Sequence, residues 1–143
     1  MLYHALHVPE GQAPFLQSVV DIPELSKYFR GWGRAGDMGF VAIERNSVKV
    51  LGAVWARAFT ACDKGYGYID DETPELSVAV MPEYRGQGIG TDLLRKLMEE
   101  SRLNVRALSL SVSPDNPAVR LYRRLGFDVF SECEHSLTMR KRL

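Results

Sequence analysis

An alternating run from Leu76 to Met81 passes straight into a loop with glycine at 86, 88 and 90, and that loop opens an amphipathic helix. Three glycines in five positions let the backbone approach a ligand with no Cβ in the way. The helix behind them aims unpaired N–H groups, and the positive end of its dipole, into the loop. Such a cradle suits a phosphate or pyrophosphate. Two common phosphate loops do not fit. The dinucleotide fingerprint needs a further glycine at 91, where this chain has Thr91, and the triphosphate loop needs Lys-Ser/Thr after its last glycine, where Gly90 is followed by Thr91 and Asp92. What is left is Arg85-x-x-Gly88-x-Gly90.

A second cluster lies about thirty residues downstream, Ser113 to Phe127. Asn116 reads as a helix N-cap, Pro117 as the first helical residue and Gly126 as the stop. Ala118, Leu121, Tyr122 and Leu125 recur at i, i+3, i+4 and i+7, which predicts one buried stripe.

Taken together, the two clusters resemble the GCN5-related N-acetyltransferase (GNAT) superfamily. That superfamily has a coenzyme A pyrophosphate loop of the Arg-x-x-Gly-x-Gly type. After its fifth strand it has a helix carrying Asn, Ala, Tyr and then Gly-Phe, matched here by Asn116, Ala118, Tyr122, Gly126 and Phe127. The resemblance spans roughly residues 37 to 143. It implies an α/β (α+β) fold with a mixed, mostly antiparallel central sheet flanked by helices, whose fourth and fifth strands splay apart to admit a pantetheine arm. It also implies an acetyl-CoA-dependent N-acetyltransferase.

The remaining chain agrees with a mixed sheet. Phe40–Ile43 and Val48–Phe59 are β-rich runs joined by polar residues 44–47, a hairpin. Residues 1–9 are a candidate for a first strand. The apolar residues between Pro14 and Phe29 suggest a helix that Pro23 breaks in two. After the glycine loop, Ile89, Leu93, Leu94, Leu97 and Met98 face a core, with an Asp92–Lys96 pair expected on the outer side. Leu108, Leu110 and Val112 alternate with serines as a strand, and 127–130 and 136–142 read as two final antiparallel strands. Strand, helix, strand, helix, strand places helices on both faces of the sheet.

Size and charge narrow the classes. The 143 residues suit one domain spanning 1–143, and 18 basic residues balance 18 acidic ones, which gives no bulk attraction to nucleic acid or anionic membrane. No stretch is long and apolar enough for a membrane span. Cys62 and Cys133 stand alone, read as free thiols of a reducing cytoplasm, and His4, His7 and His135 form no ligand pattern, so no metal is expected.

By resemblance, backbone N–H groups near Val80 polarise the thioester carbonyl. The segment Arg85, Gly86, Gln87, Gly88, Ile89, Gly90 and Thr91 holds the pyrophosphate, and Met81 and Asn116 line the pantetheine path. Tyr122 is the expected general acid, since a phenol within hydrogen-bond reach can protonate a departing thiolate; a tyrosine that only packs on the helix stripe is the alternative. Glu75 begins the strand where several members place a carboxylate base working through water; a solvated strand-edge carboxylate is the alternative. Members that modify protein N-termini carry a glutamate where this chain has Ser111, which counts against that subgroup. Acceptor recognition is expected from Trp55, Arg57, Tyr68 and Asp70, because aromatic faces with carboxylates favour a cationic amine. Arg57 could equally bind a carboxylate, making the acceptor an amino acid, and Trp32 and Asp37 would close the pocket. A small amine metabolite or amino acid is therefore the expected acceptor. A protein or peptide amine, or a non-catalytic CoA-binding domain, is the alternative. Many relatives form homodimers through their last strands.

Overall fold

The computed structural model describes residues 1–8 and 10–143. It contains one six-stranded sheet, formed by β1 (Met38–Ile43), β2 (Val50–Arg57), β3 (Glu75–Val80), β4 (Ala107–Val112), β5 (Asp128–Cys133) and β6 (Ser136–Arg142), in the order β1-β2-β3-β4-β6-β5. All neighbours are antiparallel except β3 and β4, which run parallel. Two short helices, α1 (Leu2–Ala5) and α2 (Pro23–Ser26), precede the sheet, with a 3-10 turn at Gln17–Asp21 between them. The main helix is α3 (Ile89–Ser101) between β3 and β4, and α4 (Ala118–Arg124) links β4 to β5.

Strand alternation divides the apolar residues between two cores. On one face Val54, Ala56 and Leu76 meet Leu93, Leu94, Leu97 and Met98 of α3, and α4 adds Val119 and Tyr122 to the same cluster. On the other face Ala53, Trp55 and Ala79 meet Leu2, Tyr28 and Phe59. A mixed sheet with helices on both faces is thus what the chain forms.

Several local expectations change. The strand expected at residues 1–9 is instead a helical turn at Leu2–Ala5 packed against β3, with residue 9 outside the described residues. The strand before the glycine loop is therefore third in this chain, not fourth. Val119, absent from the predicted stripe of α4, is as buried as Tyr122. On α3, Lys96 pairs with Glu100 at 2.6 Å and Asp92 lies 4.0 Å from Arg95, in place of the expected Asp92–Lys96 pair. The break at Pro23 is as expected, with Pro23 opening α2.

Candidate active site

The parallel pair β3–β4 is joined only at its base. Glu75 opposite Ser109 is its one register pair, and the Ser109 N–H donates to the Pro74 carbonyl at 2.9 Å. By contrast β3 pairs with β2 over six positions and β4 with β6 over six. Beyond the base the strands diverge, and a cavity of about 380 Å³ opens between Ser77 and Val78 on one side and Leu110 to Ser113 on the other. Glu75, Asn116 and Tyr122 all line it. The expected base and acid, 47 residues apart in the chain, meet in one cavity.

The local sequence around α4 explains how Tyr122 is held. Asn116 Oδ1 accepts the Ala118 N–H at 2.9 Å, so its side chain caps the helix as its position predicts. At the other end Gly126 has φ 88°, its N–H donates to the Arg123 carbonyl, and the Phe127 N–H reaches back to the Tyr122 carbonyl at 3.0 Å. This is a Schellman closure, which a residue with a Cβ resists at that φ. The turn folds Phe127 edge-on to the Tyr122 ring, with centroids 6.0 Å apart. Tyr122 is 8% exposed, and among the described residues its hydroxyl has no hydrogen-bond partner. Burial pushes its pKa up to about 12, so it carries its proton throughout the neutral range.

Glu75 sits on the face of β3 opposite the α3 core and is 3% exposed. Its Oε1 accepts the Tyr28 hydroxyl at 2.8 Å, and the same hydroxyl oxygen accepts the Tyr66 N–H at 2.7 Å. Oε2 is buried without a hydrogen-bond partner among the described residues. Burial pushes the Glu75 pKa up to about 7, and the Tyr28 hydrogen bond, the Gly67 amide and Lys27 pull it only partly back. Burial and the adjacent carboxylate together hold the Tyr28 phenol well above its ordinary value, so it remains a donor. The lid over Glu75 is the loop between β2 and β3. A Cβ at Gly65 would collide with Glu75 Oε2, and one at Gly67 would fall 2.7 Å from the Leu110 carbonyl carbon. Glycine at both positions is what lets this loop lie flat against β3 and β4.

The glycine loop lies where the chain leaves β3. Gly86 and Gly88 have φ of 74° and 88°, with open space where a Cβ would be. The first hydrogen bond leading into α3 runs from the Asp92 N–H to the Gly88 carbonyl at 3.0 Å. The N–H groups of Ile89, Gly90 and Thr91 precede it and lack intrahelical acceptors, as a helix N-terminus requires. In a parallel pair, the crevice beyond the carboxyl ends of the strands is where ligands enter. The Arg85 side chain turns away from the loop: Nε donates to the Val80 carbonyl at 3.1 Å and an Nη to the His4 carbonyl at 3.3 Å. Gln87 Nε2 reaches back to the Glu83 carbonyl. The Met81 N–H donates to the Leu51 carbonyl at 2.8 Å, so it is the backbone hinge between β2 and the loop; neither Met81 nor Val80 lines the cavity.

Of the four residues expected to meet the acceptor, none lines this cavity. Arg57 is 1% exposed and fully engaged. Its Nε and one Nη bind both oxygens of Asp37 at 2.8 and 2.6 Å, while the Nη groups also donate to the Lys27, Arg30 and Gly31 carbonyls. Trp32 covers the guanidinium at 5.3 Å. The guanidinium holds Asp37 below the usual carboxylate range. Arg57, Asp37 and Trp32 therefore clasp the segment after α2 onto β2 and offer nothing to a substrate carboxylate. Trp55 is buried beside Ala53 and Phe59. Tyr68 donates to Asp71, and Asp70 accepts the Glu72 N–H across a separate depression that also contains Arg102 and Arg106. The cavity is lined instead by Tyr28, Tyr66, Ser77, His7 and apolar side chains before residue 26. Tyr28 sits among ordinary amphipathic spacing, and no residue pattern distinguishes it from a core tyrosine. Among the described residues no group of His, Cys, Asp and Glu is arranged to hold a metal ion.

Comparisons with known proteins agree with this geometry. The family model for the Acetyltransferase (GNAT) family matches residues 4–127. A mycothiol acetyltransferase from Thermobifida fusca is 36% identical over 95 residues, covering 64% of this chain and 28% of that protein. The chain spans half or less of the length of the curated relatives it matches first. Among solved structures, the ribosomal-protein-alanine N-acetyltransferase from Brucella melitensis is 28% identical with a TM-score of 0.64, covering 82% of this chain and 76% of that one. An acetyltransferase from Salmonella typhimurium, solved with its cofactor acetyl-CoA, is 25% identical with a TM-score of 0.61, covering 76% and 65%. The match extends from the N-terminal turn through the glycine loop to the Gly-Phe that closes α4, and the chain belongs to the GNAT acetyltransferase family.

Proposed function

We propose that the chain transfers an acetyl group from acetyl-CoA to the primary amine of a small molecule, by direct attack of the amine in the wedge between β3 and β4. The observation that carries the reading is a pair of groups lining one cavity: a carboxylate raised to about 7, and a phenol that keeps its proton. Environments that push the pKa values of neighbouring groups apart in this way suit acid–base work near neutral pH. The cosubstrate supplies the activated thioester. The unpaired N–H groups at the start of α3 suit its diphosphate, and Asn116 and Tyr122 suit the path of its arm.

The proton balance follows from these residues. The Glu75 carboxylate, acting through a water, removes one proton from the incoming ammonium and frees the lone pair. Nitrogen then bonds to the carbonyl carbon as the carbon–sulfur bond breaks. Tyr122 gives its proton to the departing sulfur and recovers one from the acylated nitrogen, while Glu75 releases the other to solvent. Ser111, which stands where a second carboxylate would be, leaves Glu75 the sole acid lining the cavity among the described residues.

The test measures thermal shift with acetyl-CoA and release of free thiol with a panel of amines. Stabilisation together with amine-dependent thiol release supports the reading. Stabilisation with no thiol release from any amine would reduce the chain to a CoA-binding domain.

A further inference from the structure

His7 lines the wedge cavity just beyond α1, with its side chain 21% exposed. Among the described residues it is the one basic side chain on that wall. Its Nε2 is buried and has no hydrogen-bond partner among the described residues. Asp115 Oδ2 stands 3.4 Å away without making a hydrogen bond, and at 59% exposed Asp115 keeps its hydration and is screened by water. A buried imidazole nitrogen left unpaired is a cost that a ligand atom can remove. The segment that carries His7 is fixed on the sheet. Leu2 packs into the core beside Ala79, and an Arg85 Nη donates to the His4 carbonyl at 3.3 Å. Glu75 lines the same cavity. The remaining walls before β1 are apolar or aromatic: Leu6, Phe15, Val19 and Leu25, beside Tyr28 and Tyr66 with their rings 10° from parallel.

We infer that the acceptor is an apolar amino acid, whose amine faces Glu75 and whose carboxylate takes the open Nε2 of His7. The inference rests on the proposed transferase reading and narrows it to a substrate class. Imidazole donates an N–H from Nε2 both as the imidazolium and as the neutral Nε2–H tautomer, so it can meet a carboxylate in either form. A hydrogen bond to an ionised acceptor is stronger than one between neutral groups. The acceptor's own side chain displaces water from aliphatic and aromatic walls, which favours it in proportion to the apolar area covered. Arg57, the residue expected to bind a carboxylate, is locked to Asp37, and His7 supplies that donor from the segment before it. In a peptide the group next to the reactive amine is an amide carbonyl, a weaker acceptor than the carboxylate of a free amino acid.

Matched pairs isolate the carboxylate. Phenylalanine and 2-phenylethylamine differ by that group alone, as do leucine and 3-methylbutylamine, and phenylalaninamide keeps the carbonyl without the charge. Thiol release from acetyl-CoA is followed with each, alongside thermal shift with acetyl-CoA, in the natural protein, in His7→Ala and in His7→Gln. The expected result is a kcat/KM about 10–100-fold higher for the amino acid of each pair, the worth of a hydrogen bond to a charged group, with the amide in between. His7→Ala should erase that preference by slowing the amino acids more than the plain amines, and His7→Gln, which offers an amide N–H in its place, should restore part of it. Equal slowing of both members of a pair would make His7 merely structural and overturn its assignment. Equal or better turnover of the plain amines or of the amide by the natural protein would overturn the substrate class while leaving the transferase reading intact. Acetyl-CoA binding without turnover of any amine would overturn both.

Discussion

Replacing Glu75 by glutamine should make the protein more stable and nearly inactive, and the two effects come from the same burial. The carboxyl is raised from 4.5 to about 7 in the folded chain. An unfolded chain loses this proton as pH passes 4.5, whereas the folded chain keeps it until about 7. The stabilising contribution of this group is therefore complete below pH 4.5 and lost as pH rises through about 7. At about 1.4 kcal/mol per pKa unit, ionised Glu75 costs the fold about 3 kcal/mol at pH 8. Glutamine keeps the acceptor for the Tyr28 hydroxyl and never ionises. At pH 8 the variant should then melt about 6–12 °C higher, taking about 2–4 °C per kcal/mol for a domain of this size, and near pH 4 the two proteins should melt together. Turnover should fall by about 100-fold or more, the usual worth of a positioned base. Melting curves from pH 4 to 8.5, paired with thiol-release rates, test both halves. A melting difference that does not grow with pH would show that burial does not hold the proton on Glu75. Unchanged turnover would remove it from the mechanism.

Other residues give independent checks. The pH profile of kcat/KM should rise through about 7 with unit slope, and Tyr28→Phe should move that limb to higher pH, because the hydroxyl it removes lowers the Glu75 pKa; an unmoved limb would detach the two residues. Tyr122→Phe should lower kcat by roughly 10–100-fold while the apparent affinity for acetyl-CoA, read by thermal shift, stays within about two-fold. Asp37→Ala should destabilise by about 3–5 kcal/mol in urea unfolding, since it leaves Arg57 buried without its partner. Gly67→Ala should cost about 1–3 kcal/mol and weaken activity, because its Cβ has no room above Leu110 and Ser111.

What the residues alone reveal depends on whether the relevant contacts are local. The helix start at Gly88, the Asn116 cap and the Gly126 closure each depend on a few consecutive positions, so spacing is enough to locate them. The two ends of the proposed cosubstrate path rest on those positions, and the place of Tyr122 on the wall of the cavity follows from them. Glu75 is also legible, as the first residue of a strand feeding the glycine loop. Arg57 misleads for the opposite reason. A basic residue among aromatics reads as a binding group, and only the fold brings Asp37 and three backbone carbonyls around it. The 3-10 turn and short helices before β1 have weak periodicity, which is why residues 1–9 read as a strand and why Tyr28 does not stand out.

The same non-local contacts account for the chemistry of Glu75, and no local motif encodes them. Its pKa is set by what covers it: Tyr28 from the segment after α2, and Gly65 and Gly67 from the loop before β3. Arg57 holds the first of these in place by binding the carbonyls of Lys27 and Arg30 on either side of Tyr28. The Arg57–Asp37 salt bridge thus fixes the donor that meets Glu75. If this chain of contacts is correct, Asp37→Ala, assayed at a temperature where it is still folded, should alter the pH at which activity appears without changing the response to acetyl-CoA. A change in acetyl-CoA affinity with an unshifted pH profile would refute the connection, since Arg57 would then act on the cosubstrate side of the sheet and not through Tyr28.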